Sequence, residues 1–278
     1  MDRAKRYRAH IILLIDSCVY YAYYINMNRE FHAIASVELF HLLFLDQLGR
    51  KLDKKRYALK GGCNLRFFLR SIRYSEGMDL DVKQTSVDVL QDRVEQIIKS
   101  ATFADILKTR GMAITRWSAP KQTETTQRWK LTLQAVGVSL PIHTKIEFSR
   151  RGGDGTVVFD PIDPRLIQNY RLTPILASHY SAETAFAQKL QALMGRKHVQ
   201  ARDLFDLDHL LRMGVRPPAI SPVQEEHAQQ NALSISFDDF KSQVLSFLEP
   251  DTRAQFDDPA TWDSLVLRVI EAVGNGTS

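Results

Sequence analysis

Cysteine is nearly absent from this chain: Cys18 and Cys63 are its only two thiols in 278 residues. They form no metal-ligand spacing, and their apolar or mixed surroundings read as reduced thiols of a cytosolic protein. The eight histidines are scattered, with neither an H-x-x-x-H pair nor a histidine-cysteine cluster, which removes the usual zinc sites. The chain has no G-x-G-x-x-G fingerprint and no G-K-[ST] loop, so neither dinucleotide binding nor a P-loop accounts for it. A G-x-S-x-G nucleophile elbow is missing too. Glycine and proline, at 13 and 10 residues, are too sparse for a fibrous or disordered chain, and no internal repeat or long low-complexity linker is present.

Long hydrophobic runs are equally scarce. The best candidate, IILLIDSCVYYAYYI at residues 11–25, is shorter than the roughly 20 residues that cross a bilayer and is interrupted by Asp16. It carries no small-residue cleavage pattern. A buried helix or strand-like segment within an N-terminal extension, residues 1–32, is the expectation, with no membrane. The preceding cluster MDRAKRYR leaves weak surface attachment as the alternative.

What remains is a composition with 44% hydrophobic and 25% charged residues, ordinary for a folded protein of one or two domains. A net charge of +5 leans mildly toward an acidic partner such as nucleic acid. Helical spacing predicts a helix over about 33–49. YALKGG then reads as a short strand entering a turn, NLRFFLRS as a helix and MDLDV as a strand. Residues 87–109 read as helical with Gly111 as the stop. Four alternating segments follow between 112 and 158, and helices return after about 180. The fold class expected is α/β, a mixed sheet followed by a helical C-terminal part, divided as 33–165 and 166–278.

The chemistry concentrates in ALKGGCNLRFFLRSIRYSEGMDLDV, residues 58–82. Gly61 and Gly62 can relieve a tight turn, or leave backbone N–H groups open to an anion. The alternation in MDLDV puts Asp79 and Asp81 on one face of a strand, opposite Met78, Leu80 and Val82. Alone, such a pair is often an exposed edge. Beside a glycine turn it supplies the hard oxygen ligands with which phosphoryl transfer holds Mg²⁺.

This stretch resembles the signature of the AbiEii/AbiGii toxin family, within the polymerase-beta-like nucleotidyltransferase superfamily. LKGG at 59–62, RYSEGMDLDV at 73–82, KIEFS at 145–149, QKLQAL at 188–193 and ARDLFDL at 201–207 follow in family order. The resemblance implies a polymerase-beta-like core, with Gly61 and Gly62 as the phosphate-binding turn and Asp79 and Asp81 as the metal pair. Many relatives carry an acid where this chain has Gly77. One register keeps Asp79 and Asp81 as the pair; the other makes Gly77 the replacement of its first member, with weakened or altered catalysis.

Glu147 by itself reads as a cross-strand ion pair with its neighbours; the resemblance implies a third acid that binds metal or accepts a proton. Arg73 and Ser75 can be a solvated cation and a turn cap, or can neutralise and hydrogen-bond a phosphate. Lys189 can snorkel from an apolar helix, or, as the resemblance implies, meet the triphosphate with Asp203 organising it. Asp206, three residues on, is the lesser candidate. The strand-rich block carries Lys108, Arg110, Arg116, Lys121, Arg128, Lys130, Lys145, Arg150 and Arg151 among Trp117 and Trp129. This is either a solvated basic sheet or a path for RNA, and the tryptophans either stack on bases or fill the core.

The resemblance thus implies transfer of a nucleoside monophosphate from an NTP to RNA, a tRNA 3′ end by the habit of related toxins, with Mg²⁺ or Mn²⁺ as cofactor. It also implies growth inhibition, a cytoplasmic location and an AbiEi-like antitoxin regulator as partner. The alternatives are an NTP- and RNA-binding module with weak or lost catalysis, and nucleotidyl or phosphoryl transfer to a protein or small molecule.

Overall fold

The computed structural model describes residues 31–152 and 155–275. The apolar run at 11–25, Cys18 and nearly all of the expected extension lie outside them. Helix α1 spans Phe31–Lys51 and is long and apolar enough to cross a membrane by length and composition. Its apolar side is nevertheless committed to the protein: Phe40, Phe44, Leu45 and Leu48 are buried in the main core. Asp53 then caps a single 3₁₀ turn by accepting from the Lys55 N–H.

The next three elements build the centre of the sheet. Strand β1 is Tyr57–Lys60, helix α2 is Gly61–Phe67 and strand β2 is Gly77–Val82. The stretch 87–109, expected to be helical, is built of two helices, α3 at Val87–Ile98 and α4 at Ala101–Thr109. Ser100 explains the break, because its side chain caps α4 by accepting from the Phe103 N–H. Strands β3 (Met112–Gln122), β4 (Thr126–Ala135), β5 (Ile142–Ser149) and β6 (Val157–Pro161) follow. Helix α5 (Pro164–Asn169) leads into strand β7, Leu176–Tyr180.

These strands form one mixed sheet in the order β3-β4-β5-β2-β1-β7-β6. The β2–β5 and β1–β7 pairs are parallel, the others antiparallel. Alternation separates the faces. Met78, Leu80 and Val82 of β2, with Trp129, Leu131, Ile146 and Phe148, are buried with α1, α3 and α4. Asp79, Asp81 and Glu147 occupy the other face. Strand β7 joins the sheet beside β1, so the sheet continues past residue 165 into the stretch assigned from sequence to the helical part.

Helices α6 (Ala182–Gly195), α7 (Ala201–Arg212), α8 (Pro222–Leu233), α9 (Phe237–Gln243), α10 (Pro250–Phe256) and α11 (Pro259–Asn275) complete the chain. They enclose a second core around Phe186, Leu204, Phe240 and Trp262. Helix α2 ties the two cores together: Cys63 and Phe67 belong to the sheet core and Leu65 to the helical one. The mixed sheet core and the helical C-terminal region are those expected of a polymerase-beta-like nucleotidyltransferase.

Candidate active site

The carboxylates meet through strand pairing that is remote in sequence. On β2, Asp79 stands opposite Glu147 of β5 on one side and Lys60 of β1 on the other. Asp81, two residues on, faces the same way opposite Ser149. Asp79 keeps 34% and Glu147 20% of its side chain exposed, against 9% for Asp81. Asp79 and Glu147 are therefore the accessible pair, and Asp81 is the anchored one.

Each of these acids is engaged by a side chain of the protein. The Lys60 ammonium lies 2.5 Å from Asp81 Oδ1, and the Tyr180 hydroxyl donates to Asp81 Oδ2 at 2.8 Å. Burial, then the hydrogen bond to Asp81 and its charge, pushes the Tyr180 phenol well above its ordinary value, so it remains a donor. Lys145 Nζ is 3.4 Å from Asp79 Oδ1 and 3.9 Å from Glu147 Oε2. Arg128 Nε donates to Glu147 Oε2 at 2.5 Å. Below the strand, burial drives the His41 imidazole down to about 3, so it stays neutral in its hydrogen bond with Thr144.

A second charged cluster stands on the helical side. Lys189 of α6 reaches Asp203 Oδ1 at 2.9 Å and Asp206 Oδ2 at 2.6 Å, both on α7. Arg196 pairs with the other oxygen of Asp203 at 2.9 Å. Arg73 grips Asp206 through Nε at 3.1 Å and through Nη2 at 3.0 and 2.8 Å. Burial raises the Asp206 carboxyl, but Arg73 and Lys189 outweigh it and hold the group at about 2.

Between the two clusters lies a cleft of about 500 Å³. One wall carries Lys60, Gly61, Asp79, Asp81, Lys145 and Glu147; the other carries Lys189, Arg196, Arg202 and Asp203. Arg151 borders it as well. Six cations thus face four carboxylates, an excess that suits a polyanionic guest.

The expected site residues divide accordingly. Asp79, Asp81, Glu147, Gly61, Lys189 and Asp203 are brought together at the cleft. Arg73 is a correction: it is 4% exposed, and its guanidinium is committed to Asp206 and to the Tyr74 carbonyl. Gly62 and Ser75 pack against one another beside it; a Cβ on Gly62 would fall 2.7 Å from Ser75 Oγ, while that hydroxyl donates to the Gly77 carbonyl at 2.8 Å. Asp206, ranked below Asp203, is wholly buried and the more heavily bonded. Trp129 is core, with no exposed surface, while Trp117 is half-buried, packed against that core beside the Lys99 ammonium. Arg128 is paired with Glu147. Sequence reasoning missed Tyr180, Arg196 and Arg202; the last two share the QKLQAL to ARDLFDL region whose basic residues could have drawn notice.

The donor set is hard oxygen throughout, which suits Mg²⁺ or Mn²⁺. Among the described residues, however, no three His, Cys, Asp or Glu side chains converge as a ready cage for an ion. Ammonium and guanidinium groups already stand at these oxygens. The residues fit the cation by chemistry, and internal cations stand at the oxygens that would receive it.

Residues 43–266 match the family described as nucleotidyl transferase AbiEii toxin, type IV toxin-antitoxin system. A candidate nucleotidyltransferase from H. pylori has a similar fold, with TM-score 0.50 and 16% identity, over 90% of this chain and 96% of that one. The H. pylori protein JHP933 aligns with TM-score 0.47 and 18% identity, over 90% and 93% of the two chains. No curated protein matches the sequence.

Proposed function

Given that the chain belongs to the AbiEii nucleotidyltransferase toxin family, we propose that it transfers a nucleoside monophosphate from an NTP to RNA, with a tRNA 3′ end as acceptor. The observation that carries this reading is the accessible Asp79 and Glu147 pair, in register on neighbouring strands, facing Arg196 and Arg202 across one cleft. Asp79, Asp81 and Glu147 would hold Mg²⁺, which makes an α-phosphorus more electrophilic and offsets charge on the departing pyrophosphate. The chain's own part is to receive the triphosphate between the cationic wall and Lys60 and to exclude alternative poses. The acceptor hydroxyl forms the new bond to the α-phosphorus as the bond to pyrophosphate breaks, and the Glu147 side chain is within the same pocket to take the hydroxyl proton. Lys189 acts from a fixed position set by Asp203 and Asp206.

An acceptor path adjoins this centre. A groove of about 520 Å³ on the open face of β3, β4 and β5 is lined by Arg116, Ser118, Lys130, Thr132 and His143, and shares Lys145 with the cleft. Arg116 and Lys130 are exposed, and basic side chains on an open sheet suit a phosphate backbone. A cytoplasmic location and an AbiEi-like antitoxin regulator belong to the same proposal. The second reading, an NTP- and RNA-binding module with weak catalysis, is favoured by Lys145, whose ammonium sits on the accessible pair.

Incubation of the purified protein with each labelled NTP, Mg²⁺ and total RNA, followed by separation of RNA, protein and small molecules, tests the proposal. Label in RNA supports it. Label only in protein or a small molecule moves the acceptor, and NTP binding without transfer leaves the binding module.

A further inference from the structure

We propose that Lys145 is a tethered cation that competes with a divalent ion for Asp79 and Glu147, and that Gly77 is glycine because the lysine stem needs its space. The inference rests on the reading of these carboxylates as the cation site and concerns how that site is regulated.

Gly77 opens β2 directly opposite Lys145 of β5. Its φ is not in the left-handed region, so backbone conformation does not call for glycine there. Space does. A Cβ at Gly77 would lie 2.6 Å from Lys145 Cγ, 3.0 Å from Cε and 3.1 Å from the Lys145 carbonyl oxygen. Any side chain at this position must push the stem of Lys145 off the sheet face. With glycine present, the stem lies across β2 and delivers the ammonium to Asp79 Oδ1 at 3.4 Å, with Glu147 Oε2 at 3.9 Å.

The other cations in the region do not play this part. Lys60 is at Asp81, the less exposed carboxylate, and Arg128 approaches Glu147 alone. Lys145 alone of these three touches both accessible acids. On its other side Lys145 stands opposite Lys130 of β4, and like charges directly opposite repel, which favours the ammonium on the carboxylates. Lys145 is also 41% exposed and lines both the cleft and the adjacent groove. Its head can therefore leave the acids without burying a charge.

A divalent ion arriving at Asp79 meets this ammonium within 4 Å, and must displace it or bind against its repulsion. Mn²⁺ titration followed by electron paramagnetic resonance of the free ion reads that competition without any turnover. The titration uses the full chain and its Lys145→Met, Gly77→Ala and Asp79→Asn variants, with circular dichroism as the check on folding. Loss of one charge at this range should tighten Mn²⁺ binding in Lys145→Met by about tenfold. Gly77→Ala should move binding the same way, because its methyl displaces the lysine stem while leaving every charge in place. Asp79→Asn should weaken it. Binding no tighter in Lys145→Met, with Asp79→Asn still weakened, overturns the competition and leaves the cation site standing. Binding unaffected by Asp79→Asn overturns the site, and the competition with it.

Discussion

Arg73 and Asp206 are joined by a buried two-pronged ion pair, with the shortest contact 2.8 Å and the side chains 5% and 0% exposed. The pair fastens the loop before β2 to helix α7, and so fixes the carboxylate strand relative to the helical wall of the cleft. Because Asp206 is held at about 2 in the folded protein against an ordinary 3.8, its depressed value stabilises the fold above the ordinary carboxyl range. That contribution is lost as pH falls from about 4 to about 2, and amounts to on the order of 2 kcal/mol. Urea unfolding of the wild type and Asp206→Asn across this window should show their stabilities converging as pH drops. A difference that stays constant would deny the linkage.

Lys189→Ala should injure the fold before it injures nucleotide use. The side chain is 12% exposed and its ammonium joins two carboxylates that are almost wholly buried. Removing it leaves Asp203 to Arg196 and Asp206 to Arg73, at a cost of roughly 2 to 3 kcal/mol. This is not the environment of a lysine that snorkels from an apolar helix to solvent. Chemical denaturation at neutral pH is the measurement, and an unchanged unfolding midpoint would return Lys189 to the surface.

Asp79→Asn and Asp81→Asn should both cost transfer about a hundredfold or more, yet differ in stability. Asp79 is one third exposed, so its replacement should shift stability by about 0.5 kcal/mol or less. Asp81 is nearly buried and receives both Lys60 and the Tyr180 hydroxyl. An amide there leaves part of that donor set unmet, at about 1 to 3 kcal/mol. Transfer by either purified variant at the wild-type rate would remove that residue from the cation site.

What can be read in the sequence is local. The period of two in MDLDV places Asp79 and Asp81 on one face, and the same period in β4 separates Trp129 and Leu131 from Arg128 and Lys130, as the burial of the strand bears out. The pairing of Asp79 with Glu147 joins residues far apart in sequence through a parallel ladder, and periodicity carries no register between strands. The partner of Arg128 is hidden for that reason. Strand β7, LASHY, escapes a reading by pattern because five residues with only a short apolar run give a weak signal. Arg73 looks like a solvated cation, since nothing near it in sequence announces Asp206 on a distant helix. Ser100, by contrast, is a readable cap that divides 87–109 into two helices.

The RNA path can be tested away from the carboxylates. Arg128 cannot serve, because its removal would free Glu147 and disturb the cation site along with any bound phosphate. Arg116 and Lys130 are the better pair: both are exposed and both line the groove beside the cleft. Arg116 pairs across the sheet with Thr132, and Lys130 with Lys145, so their removal leaves no buried carboxylate unmatched. The double replacement by alanine should weaken RNA association and lower the slope of log affinity against log salt by about 0.7 for each phosphate of a single strand that the protein no longer neutralises. NTP affinity should change less than RNA affinity, because neither residue borders the cleft and Lys130 acts on it only through the Lys145 opposite. Measuring RNA affinity over a salt series, with NTP affinity in parallel, separates the outcomes. Equal RNA affinity and equal slope would place the acceptor elsewhere, while parallel loss of RNA and NTP binding would mean that groove and cleft act as one pocket through Lys145.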